Sequence, residues 1–254
     1  MTEDFSKEFD FLEADDCGGF SDLNADVMTM PFLRVIQSLS PQCKKSSPEY
    51  IAGAEEGMIF NTISRKLYTP PLESVVGRLD RYFIEWKPNR GGFVAAHLAH
   101  DVQKAVATGK LQRDGARIIN PENGNQLADT YTYYVLMPQH IQDGVCLLCL
   151  SSTQLKEARR WNYLLSNTFL PGTMKKAEPY HIVWNLSTPI QTNEKGEWAG
   201  IKAEFSRFVT REVLSLVKTE RQALAQIMPD MQAIGEFDQE DSQNFTPRND
   251  DVPF

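Results

Sequence analysis

The chain reads as an α+β protein, mainly β, built as an elaborated five-stranded barrel with two or three helices. Three observations point there. Short apolar or alternating runs recur, separated by turn chemistry. Only a few stretches keep helical spacing. Both ends are acidic and aperiodic, so regular structure is expected only between about residues 31 and 230.

With 254 residues, 41% of them hydrophobic, the chain can bury a sizeable core. It contains no run of eighteen apolar residues, so no membrane span is expected. The N-terminus lacks a basic segment followed by an apolar one, so it does not read as a secretory signal. Cys17, Cys43, Cys146 and Cys149 make no disulfide framework in a chain this long, and a reducing, cytosolic setting follows.

Residues 1–30 hold nine acidic residues and one Lys, and are expected to be disordered, with Phe5, Phe9 and Phe11 as weak docking points. PFLRVIQSL from Pro31 suits one short strand, and SPQCKKSSPEYIAGAEEG reads as loop. GMIFNTISRKLY suits a strand or hairpin. SVVGRLDRYFIEW is the clearest strand, with Leu79, Arg81, Phe83 and Glu85 on one face and Arg78, Asp80, Tyr82, Ile84 and Trp86 on the other. KPNRGG (Lys87–Gly92) is a basic turn, and FVAAHLAHDVQKAVATGK is expected to form a short helix.

Turn chemistry at Asn123-Gly124 precedes the strand TYTYYVLM. GVCLLCL is a buried strand leading into a helix from about Ser152 to Asn167, with Ser152 or Thr153 as N-cap. YHIVWNLS and EWAGIKAEFSRFV read as two strands joined by a turn at Thr192–Gly196. The second passes into a last helix, with Phe205, Val209, Val213, Leu216, Leu224 and Ile227 near helical spacing. Residues 231–254 are again polar and acidic and are expected to be disordered. Many short strands with few helices suit an elaborated barrel of the oligonucleotide-binding type.

The net charge of −8 is unevenly spread. Residues 1–30 carry −8, residues 231–254 carry −5, and the middle carries +5. A basic body between acidic ends is electrostatically divided.

Catalytic and metal motifs are scarce. Cys146-x-x-Cys149 sits on an apolar strand, where residues three apart face opposite ways, so both read as buried structural cysteines. His97, His100, His140 and His181 match no metal-ligand spacing, and His97-x-x-His100 beside Asp101 reads as a surface pair. No phosphate-binding Gly motif or nucleophile elbow is present, so no cofactor and no enzymatic activity are expected.

What the body does contain is aromatic and basic residues interleaved on strands. Unpaired bases stack on aromatic faces while Lys and Arg follow phosphates, and each stacked base contributes about 1–3 kcal/mol. The segment from 78 to 93 carries the mixture best, through Arg78, Arg81, Tyr82, Trp86, Lys87, Arg90 and Phe93. Lys175, Lys176 and Trp184 complete the candidate DNA-binding set, drawn from a longer pool that includes Tyr131, Tyr133, Tyr134, Arg159 and Trp161.

The last residues, Asp250, Asp251, Val252, Pro253 and Phe254, combine two carboxylates with a stiffened apolar end. Phe254 can fill an apolar pocket with its α-carboxylate at a basic rim, a known mode of peptide capture. This string resembles the C-terminal tip of bacterial single-stranded-DNA-binding proteins, where an acidic run precedes Ile-Pro-Phe; Val252 stands in place of that isoleucine. Arg248 and Asn249 replace residues that are usually acidic there. PFLRVIQSLSPQ, PEYIAGAEEGMIFNT and RYFIEWKPNRGGF are similar to a group of tailed-phage proteins from replication regions.

Together the resemblances imply a phage single-stranded-DNA-binding protein in the bacterial host cytoplasm. It would bind without sequence preference and recruit polymerase, helicase, primase or nuclease partners through the tip. A strand-annealing or recombination mediator, and a metal-dependent nuclease with a recruitment tail, are the alternatives. Oligomeric state stays open.

Overall fold

The fold is taken from a computed structural model that describes residues 30–114, 117–193, 196–224 and 246–247. In chain order the strands are β1 (Leu33–Val35), β2 (Ile59–Asn61), β3 (Leu67–Tyr68), β4 (Leu72–Trp86) and β5 (Phe93–Leu98). Helix α1 (Ala99–Ala107) precedes β6 (Gln112–Asp114), β7 (Arg117–Ile119), β8 (Gln126–Leu136) and β9 (Cys146–Ser151). Helix α2 (Leu155–Asn167) leads to β10 (Ile182–Ser187), β11 (Ile190–Asn193), β12 (Gly196–Ala199) and β13 (Lys202–Phe208). Helix α3 (Arg211–Leu224) and β14 (Thr246–Pro247) follow.

The architecture is mainly β, with antiparallel ladders, and is organised on the β4–β8 pair. β4 runs for 15 residues and is paired with β8 from Val75 to Trp86. At its start β4 also pairs with β10, and at its end with β5. β8 pairs with β7 at its start and with β9 along the rest. One central ribbon therefore serves two strand sets, β13-β10-β4-β8-β9 and β5-β4-β8-β7-β6, inside an 8-stranded sheet. The change from one set to the other is completed at Tyr82, where β5 joins β4 and the β9 ladder on β8 ends at Thr130. A β-bulge between Val76 and Arg78 follows the end of the β10 ladder at Val75. An extra residue on one strand increases local twist, and here it helps to curl the sheet into a half-barrel.

The alternation expected for β4 holds beyond the bulge. Tyr82, Ile84 and Trp86 enter a core with Tyr134, Leu136 and Val183, capped by Val217 of α3. Phe83 enters a separate cluster with Val102 of α1, Ile118 and Leu127. Before the bulge, Leu72 and Val76 join the largest core, with Tyr133, Val135, Leu148 and Trp184. That core lies under α2, whose Ala158, Trp161 and Leu165 recur at helical spacing. Cys146 and Cys149 fall in different cores on opposite faces of β9, both buried, as their spacing predicts.

Strand edges are closed by side chains. The exposed edge of β13 offers the peptide of Ala203, whose N–H donates to Glu157 Oε1 at 2.9 Å and whose carbonyl accepts from Arg160 Nη2. A helix ion pair thus occupies the place of a further strand and discourages edge-to-edge pairing. Gln37, buried, does the same for Ala199, donating to its carbonyl at 2.9 Å and accepting from its N–H at 2.8 Å.

Several local expectations need correction. Phe93–Leu98 is a strand rather than helix, because it completes the ladder on β4; only Ala99–Ala107 is helical. The α2 N-cap is Gln154, and Ser152 adopts a positive φ of 47° in a 3-10 turn before it. Phe205 belongs to β13, and the last helix starts only at Arg211. β10 pairs with β13, while β11 and β12 form a separate hairpin between them. Thr246–Pro247, in the segment expected to lack regular structure, pairs with Gly196–Glu197.

Candidate nucleic-acid interface

The predicted DNA-binding residues divide into three groups. Tyr82 (3% exposed), Trp86 (1%) and Trp184 (0%) are core, a correction to their reading as stacking surfaces. Burying a large aromatic ring is worth more to the fold than its display, and each ring has found its neighbours. Trp86 meets Phe93 edge-on at 6.3 Å, and Trp184 lies edge-on to both Trp161 and Phe205. Tyr82 sends its hydroxyl to Asp80 at 2.9 Å, and burial with the Asp80 charge pushes its pKa up to about 12. Phe93 is half-buried against the same core.

Lys87 is exposed but follows the end of β4, about 30 Å of extended strand from the bulge at Gly77. Arg90 lies in the adjoining 3-10 turn, and its side chain is outside those described. These residues do not converge with the others.

Arg81 and Arg78 lie on opposite faces of β4; Arg81 faces the α2 side, and Arg78 reaches the cleft at the bulge, near which Lys175 and Lys176 follow α2. On the β4–β8 ribbon, Leu79, Arg81, Asp129 and Tyr131 occupy the stretch between the α2-covered core and the α1-covered cluster that holds Phe83. Arg81 donates to both carboxylate oxygens of Asp129, at 2.7 and 2.8 Å. Its guanidinium also lies over two rings, 5.2 Å from the centroid of Phe83 and 5.3 Å from that of Tyr131. The Asp129 hydrogen bonds raise the Arg81 pKa against a desolvation that lowers it, so the charge is held firmly.

Helix α2 forms one wall. Arg159, well exposed, stands 3.8 Å from Asp129, so one carboxylate serves two guanidinium groups and leaves a local excess of positive charge. Tyr163, one turn further on, is 68% exposed. The trough opens into a cleft of about 310 Å³ at the β-bulge, where Gly77, Arg78 and Leu79 face Asn162 and Ser166 of α2 and Tyr180. Arg78 pairs with Asp80 at 2.6 Å and lies 4.8 Å over the Tyr134 ring. Partial burial works most strongly against its charge, but the Asp80 hydrogen bond together with the electrostatic pull of Tyr134, Asp80 and Tyr82 more than offsets this. Lys175 and Lys176 sit on the loop that leaves α2 beside the cleft, with Lys176 Nζ donating to Asn167 Oδ1 at 3.0 Å.

Residues that the sequence left in the background therefore complete the region: Tyr131 and Arg159. The usable signal was the place of Arg159 on α2, just off the apolar side marked by Ala158, Trp161 and Leu165. Asp250, Asp251, Val252, Pro253 and Phe254 lie outside the described residues.

The histidine pair does not converge. His97 Nε2 meets Glu85 at 2.7 Å, Glu85 also accepts from Asn125 at 2.6 Å, and His100 meets Asp101 at 3.1 Å. Among the described residues, no three His, Cys, Asp or Glu side chains stand close enough to share a metal ion.

The model of the Pam3 phage gp34-like protein family matches residues 3–227. The chain belongs to that family. No curated protein and no solved structure matches it. The match runs through the ribbon, α2 and the whole of α3, so the trough and cleft lie within the family's own span.

Proposed function

We propose that this phage protein coats single-stranded DNA without regard to sequence, in the replication, recombination and repair of DNA in the host cytoplasm. The observation that carries the reading is the trough: Arg81 layered with Tyr131 on the sheet and Arg159 opposite on α2. Guanidinium groups follow phosphates, and ring faces accept any base. The half-barrel around the β4–β8 ribbon is read as an elaborated oligonucleotide-binding barrel, a fold whose sheet surface is used for such strands. Lys175 and Lys176 extend the positive surface beyond the cleft. The protein acts in this reading as a binding module and not as an enzyme.

Asp250–Phe254 serve in this reading as the recruitment string for polymerase, helicase, primase or nuclease partners. The support is the resemblance of Asp-Asp-Val-Pro-Phe to the bacterial tip, and the separation of negative tail from positive body.

Fluorescence anisotropy with a labelled oligo-dT, titrated with the full chain in dilute buffer, tests the reading. Duplex and RNA of equal length serve as competitors. Tight binding that weakens with salt and prefers the single strand supports it; absence of binding overturns it. Added complementary oligonucleotide distinguishes coating from strand annealing, since only an annealing protein accelerates pairing.

A further inference from the structure

Between α2 and β10 the chain builds a small finger. Ala177 N–H donates to the Thr168 carbonyl at 2.8 Å and Leu170 N–H to the Lys175 carbonyl at 2.9 Å, while Phe169 and Lys176 face each other as bridge partners. At the tip Thr173 N–H and hydroxyl both donate to the Leu170 carbonyl at 3.1 Å. Gly172 takes a φ of 68°, a region other residues enter at a cost. A short ordered hairpin results.

Its exposed surface serves no core. Met174 at the tip is 92% exposed and Phe169 is 46% exposed. Lys175 and Lys176 flank them, both exposed. Two apolar side chains and two cations are thus exposed together on one short hairpin, a surface that suits a partner with both ring faces and negative charge. The finger also has a defined position: Ser166 before it and Glu178 after it both line the cleft that joins the trough.

We propose that this finger is a wedge that parts duplex DNA at the border of a bound single strand. The inference rests on the single-strand reading of the trough. Met174 and Phe169 offer apolar surface to the last base pair, and Lys175 and Lys176 meet phosphates of the strands as they separate. Apolar side chains that enter a base step unstack it, and a terminal pair is opened at the lowest cost. A strand lying in the trough holds one product and makes re-pairing less favourable. The same apolar and basic surface could meet an acidic peptide; the position beside the trough favours DNA.

The test uses the full chain and a forked duplex with a single-stranded arm, labelled so that opening raises fluorescence. Oligo-dT affinity is measured in parallel. Met174→Ser, at a side chain with no packing role, is expected to reduce opening about fivefold while oligo-dT affinity stays within about twofold of the parent. Equal opening by the variant and the parent overturns the wedge, as does a parent that binds oligo-dT but opens no duplex; both leave the single-strand reading standing. A parent with no oligo-dT affinity overturns both. Unchanged opening by Met174→Ser, together with lost binding of a labelled Asp250–Phe254 peptide, assigns the finger to peptide docking and overturns the wedge.

Discussion

Arg81 holds Asp129 through two parallel hydrogen bonds, and Arg159 approaches the same carboxylate to 3.8 Å. The carboxylate thus competes with any phosphate for both guanidinium groups. Asp129→Asn removes the competitor while keeping the side chain's shape. It is expected to raise oligo-dT affinity about threefold and to steepen its salt dependence. The lost bidentate pair costs about 1–2 kcal/mol of stability. Anisotropy and urea unfolding on the same variant read both effects; unchanged or lower affinity contradicts the assignment of these arginines to the strand.

Trp86 and Trp184 test the division between core and surface. Replacing either by Ala removes a ring that is 1% or 0% exposed, and each variant is expected to lose about 3–5 kcal/mol in urea unfolding. Tyr131→Ala, in the trough, is expected to lose about tenfold in oligo-dT affinity, the worth of one stacked base. Folded tryptophan variants with lost affinity would place the binding surface elsewhere.

The cysteines give a chemical test of the same packing. Cys146 is buried, and desolvation followed by the Asp143 charge pushes its thiol up to about 12. On the order of one thiol in 100,000 is then ionised at pH 7, and the thiolate is the reactive form. Cys149 is 4% exposed on the opposite face of β9. Alkylation followed by peptide mass mapping should modify both only after denaturation. Rapid labelling of Cys146 in the native protein contradicts the core described.

Asp143 predicts an acid limit to stability. Its partial burial raises the carboxyl pKa, but bonds from Lys66 Nζ at 2.8 Å and Tyr68 hydroxyl at 2.9 Å outweigh this and hold it below the ordinary 3.8. A folded pKa below the unfolded one stabilises above the ordinary value, and the benefit disappears as pH falls through the lower, folded value. Asp143→Asn should therefore be less stable than the parent by about 1 kcal/mol at pH 7, with the difference vanishing in strong acid. Urea midpoints from pH 7 down to pH 2.5 measure it; a difference that grows in acid contradicts the assigned contacts.

The mainly β class, the face alternation of β4, the opposed cysteines and α2 were all legible, because period and apolar content are local properties. β5 was not, since Phe93–Leu98 is extended only by pairing with the end of β4, and Phe205 extends β13 for a like reason. The site was half legible. Alternation shows which strand residues share a face but not which face a helix will cover. Trp86 and Arg81 differ in that respect alone, one under the core of α3 and the other between two helices. Arg159 became relevant only when α2 was laid along β8.

The most direct test of the central claim is oligo-dT affinity measured against salt for the parent and for Arg81→Ala/Arg159→Ala. The parent should bind in dilute buffer, with log affinity falling about 0.7 per phosphate contact for each tenfold rise in salt. The double variant should bind at least about tenfold more weakly, with a shallower slope. Identical curves for the two proteins, or no binding by the parent in dilute buffer, would contradict the trough as a single-strand site.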